Sequence, residues 1–182
     1  MAEKIKTYII LLRGVMPVGK NKVPMARLRE ILADAGFRNV RTYIQSGNAL
    51  VDTGLPPKEI EQRVHALIKK HIGAELTVVV RTGTQLQKVL DENPFDQNHD
   101  IARVFFVSFA GPPAAAKIKE LCARDFSPEK LVITKNAGYM FIPGSSARSV
   151  LSNNFLEKKL GVSATTRNFN TMTRLVALSK EK

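Results

Sequence analysis

Apolar residues fall along this chain in two alternating rhythms. Thr7 to Leu12 is a short apolar run rich in branched side chains and predicts a strand, whereas Met25, Leu28, Ile31, Leu32 and Ala35 recur at helical spacing. Pro24 suits the first turn of that helix, where a missing N–H costs nothing, and Gly36 suits the left-handed position after its last turn. Two strand-like runs follow, Val40 to Ile44 and Ala49 to Asp52, and the polar turn Gln45-Ser46-Gly47-Asn48 joins them as a hairpin. Pro56-Pro57 opens a second helix with Ile60, Val64, Leu67, Ile68 and Ile72 on one stripe. Gly73 closes it, and Leu76 to Val80 is the next strand. The order is β-α-β-β-α-β.

A short helix around Leu86, Val89 and Leu90 leads into Asp91-Glu92-Asn93-Pro94, and the polar stretch Asp96 to Asp100 reads as a connection. Beyond it the same order recurs. Arg103 to Phe109 is a strand, Ala114 to Arg124 a helix, Leu131 to Thr134 and Tyr139 to Ile142 a hairpin, Ser146 to Leu160 a helix closed by Gly161, and Val162 to Thr166 a strand. A last helix begins near Thr171. Two such units in tandem predict an α+β protein of two ferredoxin-like domains with antiparallel sheets, at residues 1–83 and 101–182, with a helical connector over 84–100. Tyr8 to Leu12, Leu76 to Val80 and Val104 to Val107 are apolar at successive positions, so both faces of each sheet should be shielded from water. The helices shield one face; the sister unit or a second chain would shield the other.

With 182 residues, 44% of them hydrophobic and 24% charged, the chain has the makeup of a globular protein rather than a disordered one. Its single cysteine excludes an internal disulfide. Tyr8 to Leu12 is too short for a secretory segment and is closed by Arg13, so the cytoplasm is the expected location. No run approaches the roughly 20 apolar residues of a membrane span, so no membrane partner is expected. The formal charge of +12 is spread over both halves and favours polyanions through long-range attraction. The plainer alternative is a solvated basic surface.

Several blocks carry a resemblance: Leu11-Leu12-Arg13-Gly14, Gly19-Lys20-Asn21-Lys22-Val23-Pro24-Met25, Thr42-Tyr43-Ile44-Gln45-Ser46-Gly47-Asn48, Asn93-Pro94, Phe155 to Gly161, and Thr165-Thr166-Arg167-Asn168-Phe169-Asn170-Thr171. In this order they resemble a bacterial family known as domain of unknown function 1697. The resemblance spans nearly the whole chain and implies an α+β fold; it passes on no activity. Where such proteins read L-R-G-I-N-V-G-G-K-N, this chain has Val15, Met16, Pro17 and Val18 between Gly14 and Gly19, and so lacks an asparagine and a glycine.

Gly14 to Asn21 comes within one residue of the phosphate-cradling pattern G-x-x-x-x-G-K-[ST]. Asn21 replaces the hydroxyl that would hold Mg²⁺, and Pro24 delays the helix whose N-terminus should face the phosphates. Val80 runs into Arg81, not into a metal-binding aspartate. A nucleotide triphosphatase is therefore disfavoured. A looser anion site is expected instead, because a ferredoxin-like sheet puts the first strand-to-helix loop and the hairpin at one end. Arg13, Gly14, Gly19, Lys20, Asn21 and Lys22 would then approach Gln45, Ser46 and Asn48 and offer cations, amides and a helix N-terminus to a phosphate-bearing small molecule or to nucleic acid. A second basic group comprises Lys158, Lys159, Arg167, Asn168 and Asn170, with Asn170 or Thr171 as the cap of the last helix.

Other chemistry is sparse. Cys122 shares an apolar helix face with Ile118 and Leu121 and is expected to be buried; His65, His71 and His99 have no metal-ligand spacing. Asp91, Glu92, Asp96 and Asp100 form an acidic cluster that reads as a solvated helix end. Phe105, Phe106, Phe109, Tyr139 and Phe141 occupy strands on which RNA-recognition modules stack bases, though without the glycine-aromatic run of such modules. No metal, cofactor or catalytic residue is assigned. Three classes of function stand: an anion- or polyanion-binding protein, an enzyme acting on a phosphorylated or carboxylated small molecule, and an interaction module.

Overall fold

The structure, a computed structural model, describes residues 4–95 and 97–181; Asp96 of the acidic cluster lies outside the described residues. The chain forms two compact units, one made of the segment up to Leu86 together with Leu175 onward, the other of Gln87–Arg174. The end of the last helix thus groups with the first unit.

In the first unit β1 (Lys6–Arg13), α1 (Met25–Asp34), β2 (Arg38–Thr42), β3 (Asn48–Thr53), α2 (Pro57–Ile72) and β4 (Thr77–Thr82) form a sheet ordered β2-β3-β1-β4, every neighbouring pair antiparallel. This is the ferredoxin-like arrangement. Along β1 the side chains alternate between faces, as a strand requires. Tyr8, Ile10 and Leu12 join Leu28 and Ile31 of α1 and Ile60 and Val64 of α2 in one apolar core. Ile9, Leu11, Leu50 and Val79 point the other way, yet they too are fully buried. Water is excluded from both faces, as the successive apolar positions required.

β2 stops earlier than its apolar pattern suggests. Ile44 takes a left-handed φ of +48° and cannot continue the strand, while Asn39, inside β2, has the same φ at a register shift between Arg38 and Arg41. Asp52 steadies this edge by accepting from Thr7 Oγ1 at 2.6 Å and from Asn39 Nδ2 at 2.7 Å. The helix ends follow the sequence: Pro24 and Pro56 immediately precede α1 and α2, and Gly73 closes α2 at a φ of +80°.

After α3 (Gly83–Asp91), the second unit repeats the order with β5 (Val104–Phe109), α4 (Ala115–Cys122), β6 (Lys130–Ile133), β7 (Gly138–Phe141), α5 (Asn153–Leu160), β8 (Ala164–Asn168) and α6 (Phe169–Lys180). Its sheet is ordered β6-β7-β5-β8, the same permutation, again antiparallel throughout. The helix expected over Ser146 to Leu160 is only half as long. Ser146–Arg148 forms one 3-10 turn. Ser149 Oγ bonds Glu129 and accepts from the Leu151 amide, so the serine-rich segment satisfies its backbone without α-helix, and Ser152 caps α5 by accepting from Phe155 N–H.

The two units solve the same edge problem with the same residue types. β4 and β8 lie at sheet edges, where outward N–H groups lack a strand partner. Glu61 of α2 accepts from Val80 N–H at 3.0 Å, and Glu157 of α5 accepts from Ala164 N–H at 2.9 Å. Arg81 and Arg167 each turn back to the preceding carbonyl, on Val80 and Thr166. The next residue caps the following helix: Thr82 Oγ1 accepts from Gln85 N–H, with Gln85 Oε1 returning to Thr82 N–H, and Asn168 Oδ1 accepts from Thr171 N–H. The cap of α6 is therefore Asn168 and not Asn170 or Thr171. Replacing Asn168 by Ala should cost about 1 kcal/mol in urea unfolding. Asn170→Ala, at an exposed position beyond the cap, should leave the midpoint unchanged.

Candidate functional site

The loop after β1 begins at Gly14, whose φ of +87° turns the chain out of the sheet, and turns again at Gly19 with φ +84°. Between them Met16 N–H donates to Asn21 O at 3.0 Å and Lys22 N–H to Gly19 O at 3.1 Å. Two amides that a phosphate cradle would need are thus engaged within the loop, and α1 starts only at Met25. The near-match to a phosphate-cradling loop is a self-bonded excursion. A Cβ placed on Gly19 would meet nothing within 4 Å, so the tip stands clear of its surroundings.

The hairpin between β2 and β3 closes onto this loop. Leu12 N–H donates to Gly47 O at 2.9 Å, and Gln45 Nε2 donates to Val23 O at 3.1 Å. Gly47 lies so close that an added Cβ would sit 2.7 Å from Val15 Cγ2 and 2.9 Å from Leu12 Cβ, at a φ of +86° that disfavours any side chain. Asn48 is fully buried and donates from Nδ2 to Tyr43 O at 3.1 Å and to Ser46 Oγ at 3.0 Å. The amide groups of Gln45 and Asn48 therefore build the rim. The side chains exposed upon it are Lys20, Lys22, Gln45 and Ser46, with Asn21 half-buried and Arg13 half-buried at the end of β1. The structure brings the two predicted segments together.

The pattern of the sequence did not single out three apolar members of this rim. Met16, Val18 and Ile44 are 53%, 72% and 51% exposed. Their signal was apolar type inside a Gly- and Pro-punctuated loop, which strand-and-helix periodicity overlooks.

The second basic group does not form a comparable surface. Lys158 is exposed and Lys159 half-buried in the last turn of α5, where cations complement the helix dipole. Arg167 points inward: it is 9% exposed, donates to Thr165 Oγ1 at 2.7 Å and Thr166 O at 2.9 Å, and burial pushes its guanidinium down to about 10. It stays charged at neutral pH.

Cys122 departs from expectation, because it is exposed at the end of the short α4 and does not share the burial of Leu121. Partial desolvation raises its thiol pKa, against a smaller lowering by the backbone of Ile133. Near β4, Glu75 is held below the usual carboxylate range chiefly by its 3.0 Å hydrogen bond from Lys69; Lys20 is the last and smallest contributor. His65 donates from Nδ1 to Leu76 O. Among the described residues no group of three or more His, Cys, Asp or Glu side chains could hold a metal ion.

Phe106, Phe109 and Tyr139 are closed to bases, whereas Phe105 and Phe141 are half-buried. Phe106 and Tyr139 are 1% and 0% exposed and meet edge to face at 5.9 Å, Phe106 lies 6.3 Å from Phe169, and Tyr139 OH donates to Val89 O at 3.1 Å. Burial first, then the charge of Glu92, pushes the phenol up to about 12.

Two tandem ferredoxin-like units, with the first strand-to-helix loop locked to a hairpin, define the class as a double α+β protein. The chain belongs to the family described as protein of unknown function (DUF1697), whose model matches residues 5–139. Its fold is also that of a conserved bacterial protein from Streptococcus pneumoniae, with a TM-score of 0.77 at 22% identity, covering 97% of this chain and 100% of the other. Comparison with curated proteins gives no match. No helix among the described residues is long and apolar enough to cross a membrane.

Two outcomes follow from this geometry. Gly47→Ala should lose about 1–3 kcal/mol in chemical denaturation, through backbone strain and the clash with Val15 and Leu12. The Tyr139 phenol, raised above its unfolded value of 10.0, favours folding below pH 10, and that contribution should fade between about pH 10 and 12. Ultraviolet titration of the wild type against Tyr139→Phe isolates it.

Proposed function

We propose that this chain is a cytoplasmic anion-binding protein, and that its site is the rim where the β1–α1 loop meets the β2–β3 hairpin. The ligand group is a phosphate, on a small molecule or a nucleic-acid backbone. One observation carries the reading: the 2.9 Å bond from Leu12 N–H to Gly47 O unites the segment bearing Arg13, Lys20 and Lys22 with the one bearing Ser46. Without it these donors would belong to separate loops. The backbone of the rim is held by its own hydrogen bonds, so an anion need order only the lysine side chains, and the net charge of +12 speeds the encounter.

Thermal-shift measurements with inorganic phosphate, ATP and a short oligonucleotide test this. A ligand that binds should raise the unfolding temperature, adding about 2.7 kcal/mol at 100 times its dissociation constant. Lys20→Ala combined with Lys22→Ala should remove the shift without lowering the temperature of the free protein. A shift that persists unchanged in this double variant places the anion elsewhere.

A further inference from the structure

We propose that the same rim docks onto an anionic lipid surface; this rests on the anion-binding reading and adds an apolar component to it. Met16, Val18 and Ile44 are exposed large hydrophobic residues. They stand on segments tied together at two points, Leu12 to Gly47 and Val23 to Gln45, and Met16 is bridged to Lys22 across the loop. Aliphatic tips and ammonium groups therefore share one rim.

Ile44 is unfavourable twice over. A β-branched residue strongly avoids a φ of +48°, and this one leaves half its side chain in water, so neither the backbone nor the core gains from it. Asparagine or glycine would fit the conformation better. The residue makes physical sense where its side chain enters an apolar phase that the free protein lacks.

The chemistry of the rim selects the occupant. At a bilayer surface aliphatic side chains enter the boundary of the acyl region while lysine ammonium groups remain among the phosphates. A nucleic-acid backbone would engage the lysines but give the aliphatic tips no apolar partner, and Arg13 to Val23 and Ile44 to Asn48 contain no aromatic residue on which a single-stranded base could stack. A second copy of the chain would bring another +12 of like charge. The anionic lipid surface satisfies both the lysines and the aliphatic tips.

Co-flotation of the full chain with vesicles tests the proposal, using phosphatidylglycerol mixed with phosphatidylcholine against phosphatidylcholine alone, at about 20 mM salt where screening is weak. The chain should float with the anionic vesicles and stay in solution with the neutral ones. Lys20→Ala with Lys22→Ala should lower partitioning about 30-fold, as expected for two cations at an anionic surface. Met16→Ser with Val18→Ser should lower it about tenfold while leaving phosphate and oligonucleotide binding intact. Ile44→Asn should weaken flotation and raise the unfolding temperature, an outcome that loss of structure cannot mimic. Wild-type protein left in solution with anionic vesicles, or serine variants that float like wild type, overturns the lipid docking. If the oligonucleotide is still bound through Lys20 and Lys22 in that event, the anion reading survives and nucleic acid takes the place of lipid. If neither vesicles nor soluble anions respond to the lysine substitutions, both readings fall.

Discussion

Leu12 N–H reaches the carbonyl of Gly47 only because residue 47 carries no side chain. Any Cβ there would intrude on Val15 and Leu12, and the positive φ sets a second barrier against replacement. This contact holds the hairpin against the loop, and much of the rim depends on it. Asn48 stays buried because Tyr43 O and Ser46 Oγ accept its amide hydrogens, and Gln45 can reach Val23 only from a hairpin that has already closed. The polar residues of the hairpin act as scaffold. The cations and aliphatic tips beside them are left to face outward.

The duplicated architecture places one device at two distant points of the chain. A glutamate from the helix that precedes the last strand caps an outward edge amide, an arginine folds back on that strand, and the following residue starts a helix. An edge amide engaged in this way is withdrawn from pairing with a foreign strand. The cap itself differs, a reciprocal Thr82–Gln85 box in one unit and a lone Asn168 acceptor in the other, so the geometry is retained with different donors and acceptors.

Much of this fold was legible in the sequence because its signals are local and periodic. The stripe Ile60, Val64, Ile68 and the closing Gly73 specify α2, and continuous apolar strands foretold sheets dry on both faces. The failures have physical causes. Ile44 reads as strand by type, but the hairpin imposes a backbone that isoleucine disfavours, and Ser149 diverts a helical-looking segment by bonding Glu129, far away in sequence. Cys122 follows an apolar stripe into a helix too short to carry its last turn into the core. The meeting of the loop and hairpin was legible from topology alone. Which donors it leaves exposed was not, because that depends on tertiary bonds of Gln45 and Asn48 that no periodicity encodes.

Arg41 on β2 donates from Nη1 to the carbonyl of Leu178 at 2.8 Å, and Gly83 lies directly against Ser179. Residues that follow the second unit along the chain thus complete a unit whose strands precede it. During vectorial synthesis the N-terminal sheet must wait, with part of its complement missing, until the ribosome has delivered the entire intervening unit. A nascent chain of this design cannot mature strictly one half after the other.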